Sequence, residues 1–133
     1  MLNAVLYKLI NLYESPPKNK YVRLMLQYIN THITDNIWLA DLCRVTYLSK
    51  EYCAYLFKAN VGKSIISYVN DKKMRYAKEL IIRNEMSLGD IAAYLGFDDY
   101  NYFSRLYKRI FGCPPRKTVN RSENSEIVAK KHY

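Results

Sequence analysis

Glycine is scarce in this chain of 133 residues, with four copies that never stand together. Without a glycine-rich loop there is no backbone cradle for a nucleotide phosphate, so the chain carries none of the usual signature of a nucleotide-using enzyme. Cysteine is equally sparse. Cys43, Cys53 and Cys113 are an odd number without CxxC spacing, and two of them fall at apolar positions of predicted helices. They are expected to be small reduced core residues of a cytosolic protein. His32 and His132 are far apart in sequence and lack neighbouring ligand residues, so neither a metal site nor a cofactor is expected. No apolar run approaches the roughly 20 residues that span a bilayer, and the start of the chain lacks the basic residues and cleavage site of a signal peptide. A soluble, intracellular chain with no membrane partner is expected. Clustered His, Cys and carboxylate residues are missing too, which makes an enzyme the least expected class.

What the chain does contain is apolar surface and positive charge. Half of its residues are hydrophobic, enough for a core of moderate size in one compact domain. Lys and Arg number 21 against 12 Asp and Glu, a net charge of +9, and that sign favours a polyanionic partner. The excess is also concentrated. Between Arg105 and Arg121 lie six basic residues and no acidic one, whereas an indifferent solvated face usually mixes its signs.

The stretch from Ser87 to Pro115, SLGDIAAYLGFDDYNYFSRLYKRIFGCPP, has the most definite local grammar. Ser87 with Asp90 predicts a helix start, and Leu88, Ile91, Ala92 and Leu95 repeat at helical spacing. Gly96 tolerates positive φ, Phe97 supplies an apolar wedge, and Asp98-Asp99 open a second helix with Tyr102, Phe103, Leu106, Tyr107 and Ile110 on its stripe. Asn101, Ser104, Arg105, Lys108 and Arg109 take the faces left free. A helix, a tight turn and a basic, amide-bearing helix make the shape that enters a DNA major groove. By itself the same pattern also fits an ordinary helical hairpin.

The pattern occurs twice. Leu39 to Cys43 match Leu88 to Ala92 at an offset of 49, as do Leu48 and Phe97. Beyond the turn the offset becomes 50, pairing Cys53, Leu56, Phe57, Lys58 and Gly62 with Phe103, Leu106, Tyr107, Lys108 and Gly112. Two copies of one supersecondary unit follow, too few for a solenoid. In the first copy Trp38 stands where Ser87 caps the second, at a cost of about 1 kcal/mol, and its indole is expected to pack against the domain. Tyr47 fills the turn position of Gly96, so strain or a different turn is expected there.

The pattern resembles the paired helix-turn-helix domain of AraC/XylS-type transcription regulators from about Tyr21 to Arg121. Its most specific piece, I-A-x-x-x-G-F-x-D-x-x-Y-F-x-R-x-[FY]-K, stands here as Ile91, Ala92, Gly96, Phe97, Asp99, Tyr102, Phe103, Arg105, Tyr107 and Lys108. Gly112 and Pro114-Pro115 resemble the closing G-x-x-P of that family, while Thr118 departs from its usual aromatic residue.

The resemblance implies an all-α fold of about seven helices, two homeodomain-like helix-turn-helix units joined by a long central helix. It also implies contact positions. On the first recognition helix, Lys50 to Ala59, they fall on Glu51, Ala54 and Tyr55, within an outward set of Lys50, Glu51, Ala54, Tyr55 and Lys58. Glu accepts from a cytosine amine and Ala touches a thymine methyl, so this set is poor in bidentate donors and weak base readout is expected. On the second they fall on Tyr100, Asn101, Tyr102, Ser104 and Arg105. Asn101 suits adenine and Arg105 suits guanine or a phosphate; Tyr102 fits a core role as well as a groove role; Lys108 and Arg109 suit phosphates. Lys73 on the central helix is implied as a backbone contact, beside Lys72, Arg75 and Lys78 as solvating charges.

Ser64 to about Arg83 predicts that central helix, a rod of about 30 Å. Neighbouring major grooves on one face lie about 34 Å apart, so a direct, nonpalindromic site within one chain is expected. The boundaries expected are an amphipathic helix over residues 1–17, a DNA-binding domain over 18–121 with units at about 39–60 and 88–111, and a disordered tail over 122–133. The first helix either docks on its own domain or closes a sensing and dimerisation domain that precedes it. The resemblance implies promoter DNA as partner, with RNA polymerase and, through such a preceding domain, a second copy as further partners. A competing class is a helical protein-interaction adaptor that uses the apolar stripe from Leu2 to Tyr13.

Overall fold

The computed structural model describes residues 19–119. The expected helix at 1–17 and tail at 122–133 lie outside the described residues. Within them the fold is all-α: α1 (Lys20–Thr31), α2 (Leu39–Thr46), α3 (Lys50–Val61), α4 (Ile65–Arg83), α5 (Leu88–Tyr94) and α6 (Tyr100–Phe111), followed by helical residues 115–119. The chain forms two compact units, one holding α1 to α3 with Ile37–Ser67, the other holding Ile33–Asn36 and the chain from Tyr68 onward. No helix among the described residues is long and apolar enough to cross a membrane.

In the first unit α1 starts at Asn19, whose side chain accepts from the Tyr21 and Val22 amides. An Asn directly before an apolar-periodic run is a capping signal. The helix ends at Thr31, and Val22, Met25 and Ile29 are its buried stripe. Leu42 of α2 and Cys53, Leu56 and Phe57 of α3, helices in contact with α1, are buried as well. Burying a side chain such as Phe57 is worth about 1.5–3 kcal/mol, which makes this small stripe the source of the unit's cohesion.

Trp38 precedes α2 without a side-chain cap. An indole N–H only donates and cannot receive a helix amide, so half of the usual reciprocal pair is lost. The other half survives, because the Asp41 carboxylate accepts from the Trp38 amide at 2.9 Å. That carboxylate also meets Arg44.

The turn after α2 holds Tyr47 at φ 61° and ψ 26°, the left-handed region, with its side chain 94% exposed. The chain folds the second unit's turn with Gly96 at φ +86°. Both turns therefore pass through the left-handed region at matched positions, and the first carries a strained residue where the second has glycine. Thr46, buried beside it, donates its hydroxyl to the Leu42 carbonyl at 2.8 Å and lies 3.3 Å from the Cys53 sulfur.

In the second unit Met74, Ala77, Leu80 and Ile81 of α4, Ile91, Ala92 and Leu95, and Phe103, Leu106 and Tyr107 of α6 form one buried cluster. Ser87 caps α5 by accepting from the Asp90 amide at 3.1 Å, and Asp99 caps α6 by accepting from the Asn101 amide at 2.9 Å. Gly62 and Gly112 close α3 and α6, as their matched places in the repeat predict. Thr118 is buried, and its hydroxyl pairs with the Tyr107 hydroxyl at 2.9 Å. A small polar residue thus fits at the family's aromatic position because the buried phenol needs a partner. Burial is the main cause that raises the Tyr107 phenol above its ordinary pKa.

Replacing Tyr47 with glycine removes left-handed strain and gives up no packing. Tyr47→Gly is expected to stabilise the chain by about 0.5–1 kcal/mol, read as a higher urea midpoint at unchanged slope. Gly96→Ala should do the opposite, since a Cβ there lies 2.9 Å from the Asn36 side-chain oxygen at a positive φ. Equal effects of the two changes would contradict this account of the turns.

Candidate nucleic-acid interface

A recognition surface needs polar groups that the fold leaves free on a helix it holds firmly. On α6 the buried positions Phe103, Leu106 and Tyr107 commit one side to the core. Asn101, Tyr102, Arg105, Lys108 and Arg109 are left exposed on the rest, and Ser104 is half-buried among them. Tyr102 is 47% exposed with its ring 6.1 Å from that of Phe97. It therefore sits at the border of the outward face, leaning on the wedge residue, instead of in the core. Tyr100 is half-buried, 6.0 Å from the Phe103 ring, and covers the start of the helix.

Two more basic side chains, Arg116 and Lys117, are exposed in the helical residues 115–119, which follow α6 after residues 112–114. The stretch from Arg105 to Arg121, with six basic residues and no acidic one, was the sequence signal for them, although neither stood among the expected contacts.

The α3 surface of the first unit differs in kind. Cys53, Leu56 and Phe57 are buried, and Lys50, Glu51, Ala54, Tyr55 and Lys58 are exposed. Tyr55 is 67% exposed, and Tyr52 stacks against it with centroids 6.4 Å apart. This face offers aromatic and methyl surface with a lysine at either end, and no amide or guanidinium. Trp38 is 67% exposed, contrary to the expectation that it packs against the domain. As the residue before α2 it lies outside the helical period, so no buried stripe requires it inside.

Lys73 is the implied contact that the structure moves elsewhere. It is 5% exposed, the only buried basic side chain among the described residues. Its ammonium donates to the Asp35 carbonyl at 2.6 Å and to the Leu95 carbonyl at 2.5 Å. Burial lowers its pKa from the ordinary lysine value, against an opposing pull from the Asp35 carboxylate. A group enclosed in this way does not reach a phosphate. Lys72, by contrast, has its ammonium 5.6 Å from the Tyr68 ring, and Arg75 and Lys78 are exposed. Among the described residues no group of three or more His, Cys, Asp or Glu could hold a metal ion.

Each unit is a helix, a tight turn and a second helix with a sealed back and an open front, and this defines a protein of the helix-turn-helix class. Comparison agrees, since a family profile described as a helix-turn-helix domain matches residues 42–121. The chain belongs to the AraC/XylS-type helix-turn-helix family. It is 34% identical over 101 residues to the arabinose operon regulatory protein of Escherichia coli, covering 75% of this chain and 35% of that protein. It is 32% identical over 112 residues to the regulatory protein PocR of Salmonella typhimurium, covering 82% and 36%. The chain thus spans about a third of the length of these relatives. Among solved structures, the C-terminal domain of AraT, a response regulator from Geobacillus stearothermophilus, superposes with a TM-score of 0.74 at 27% identity, covering 77% of this chain and 86% of that one. The DNA-binding domain of AdpA in complex with a target DNA has the same fold, with a TM-score of 0.72 at 15% identity over 84% of this chain and 96% of that one.

Trp38 is the sole tryptophan, so its environment can be read directly. Its fluorescence is expected at the red-shifted position of a water-exposed indole and readily quenched by iodide. Blue-shifted, protected emission would contradict the placement.

Proposed function

We propose that the chain is a sequence-specific DNA-binding transcription regulator that inserts α3 and α6 into successive major grooves of one duplex. One observation carries the reading: two helices, matched in their buried residues and closing glycines, each keep a free front in a chain with net charge +9. Cationic fronts of this kind gain their affinity from phosphates and their sequence preference from the few side chains that reach base edges.

The two fronts divide this work unequally. On α6, Asn101 presents the amide that pairs with adenine N6 and N7, Arg105 the fork that pairs with guanine O6 and N7, and Ser104 a hydroxyl for either. Lys108, Arg109, Arg116 and Lys117 supply phosphate contacts around it. On α3, Ala54 and Tyr55 offer apolar surface for thymine methyls, Glu51 an acceptor for cytosine N4, and Lys50 and Lys58 reach phosphates. The second unit is the specific reader, and the first favours A·T-rich sequence with a lower energetic stake.

The names of the relatives speak of operon regulation, and RNA polymerase is the partner such a role engages. A second copy enters through a sensing domain, for which the greater length of the relatives leaves room. An adaptor that bound protein through an apolar helix would show none of the salt dependence that phosphate contacts impose.

Arg105→Ala is expected to weaken binding to a selected duplex by about 1–3 kcal/mol and to relax preference at one base pair. The measurement is a titration of that duplex and its single-base variants. Loss that is uniform across sequences, with the salt slope reduced by about one, would reassign Arg105 to a phosphate.

A further inference from the structure

A buried ammonium is expensive unless something in the fold uses it. Lys73 lies on α4, yet its partners come from two distant places in the chain, the carbonyl of Asp35 at 2.6 Å and that of Leu95 at 2.5 Å. Leu95 is the residue that ends α5, and the turn to α6 follows it directly. The ammonium also sits 5.6 Å from the centre of the Phe97 ring. That ring in turn packs 5.5 Å from Phe103 and 6.1 Å from Tyr102, on the inner side and the border of α6. Gly96 lies between these contacts at φ +86°, where a Cβ would come within 3.2 Å of the Lys73 nitrogen. The side chain thus touches both arms of the turn and, through Phe97, the helix beyond it.

The first unit fastens its turn in another way. At the offset of 49 residues Leu95 corresponds to Thr46, and there a buried hydroxyl, not a cation, bridges the turn: it donates to the Leu42 carbonyl and accepts from the Leu48 amide at 3.4 Å. A charge-assisted pair of bonds is the stiffer device, since hydrogen bonds to an ionised donor are about twice as strong as neutral ones. The stiffer fastening is found in the unit whose front carries the amide and guanidinium groups, for which alignment with base edges matters most.

We propose that Lys73 is a positioning residue for the second recognition helix: its ammonium ties the Leu95 carbonyl and the Phe97 ring to residue 35 and thereby fixes the direction in which α6 presents Asn101 and Arg105. This rests on the DNA-binding reading, and it replaces the phosphate role that the family resemblance implied for this lysine. The residue acts through the turn and touches no nucleic acid.

The test uses the full chain and a duplex that the unaltered chain selects from a random-sequence pool. If the unaltered chain selects nothing, the DNA-binding reading itself fails, an outcome separate from anything Lys73 does. With a duplex in hand, Lys73→Met and Lys73→Arg are compared by amide hydrogen exchange, by salt dependence of affinity, and by discrimination against duplexes altered in either half of the site. The half read by α6 is assigned with the Asn101→Ala, Arg105→Ala double variant. Lys73→Met is expected to speed exchange at Gly96 and Phe97 and to lower discrimination in the α6 half, each by about tenfold, the scale of a lost charge-assisted hydrogen bond. The α3 half and the salt slope stay as they were, and Lys73→Arg, which keeps donors for both carbonyls, recovers most of the loss. A salt slope reduced by about one with discrimination intact would make Lys73 a phosphate contact after all. Unchanged binding, or equal loss in both halves, would also overturn the proposal. Should Lys73→Met fail to fold, Lys73→Arg decides alone. Protection at Gly96 and Phe97 close to that of the unaltered chain supports the proposal; lost protection or failure to fold overturns it.

Discussion

The second unit depends on the burial of Phe103, Leu106 and Tyr107 along one side of α6. A helix that buries every third and fourth residue cannot rotate about its axis without exposing that apolar surface, at about 25 cal/mol for each Å². The rotation is therefore fixed, and with it the identity of the side chains that face outward. Asn101, Arg105, Lys108 and Arg109 are presented because their neighbours are held, and the caps at Asp99 and Gly112 set where the presentation begins and ends. The first unit repeats this arrangement with Cys53, Leu56 and Phe57 on α3. One constraint, applied twice, makes two fronts, and the side chains on them differ enough to give the fronts unequal work.

Much of this could be read from residues because helical periodicity is a local property. The stripes at Leu88 to Leu95 and Tyr102 to Ile110, the Ser and Asp caps, and the two closing glycines all state their role within a few positions. At Tyr47, opposite Gly96 in the repeat, the residues left strain or a different turn open, and the left-handed backbone decides for strain. The helix-turn-helix class followed from these features combined with duplication, and it is the class to which the comparisons assign the chain.

Other features required knowledge of what is distant in sequence and near in space. Lys73 is one of several basic residues on α4; its spacing, four residues after Val69 and four before Ala77, puts it on the buried stripe, unlike the exposed Arg75 and Lys78, but the groups that receive its charge are not visible in that spacing. Its burial is decided by two carbonyls, 38 residues before it and 22 after it. Thr118 at an aromatic position looked like a departure; the pairing of its hydroxyl with Tyr107 across the end of the fold shows the place to be polar. Trp38 misled through its type, since a large indole suggests a core, but its position before α2 lies outside any buried stripe.

The proposed entry of two helices of one chain into grooves has a consequence that a single reading head, or an adaptor surface, does not share. Hydroxyl-radical footprinting of the chain on its selected duplex tests it most directly. The account predicts two protected stretches centred about 10 base pairs apart on the same face of the helix, with the second unit's stretch the better protected. One protected stretch alone, or protection spread evenly along the duplex, would contradict it.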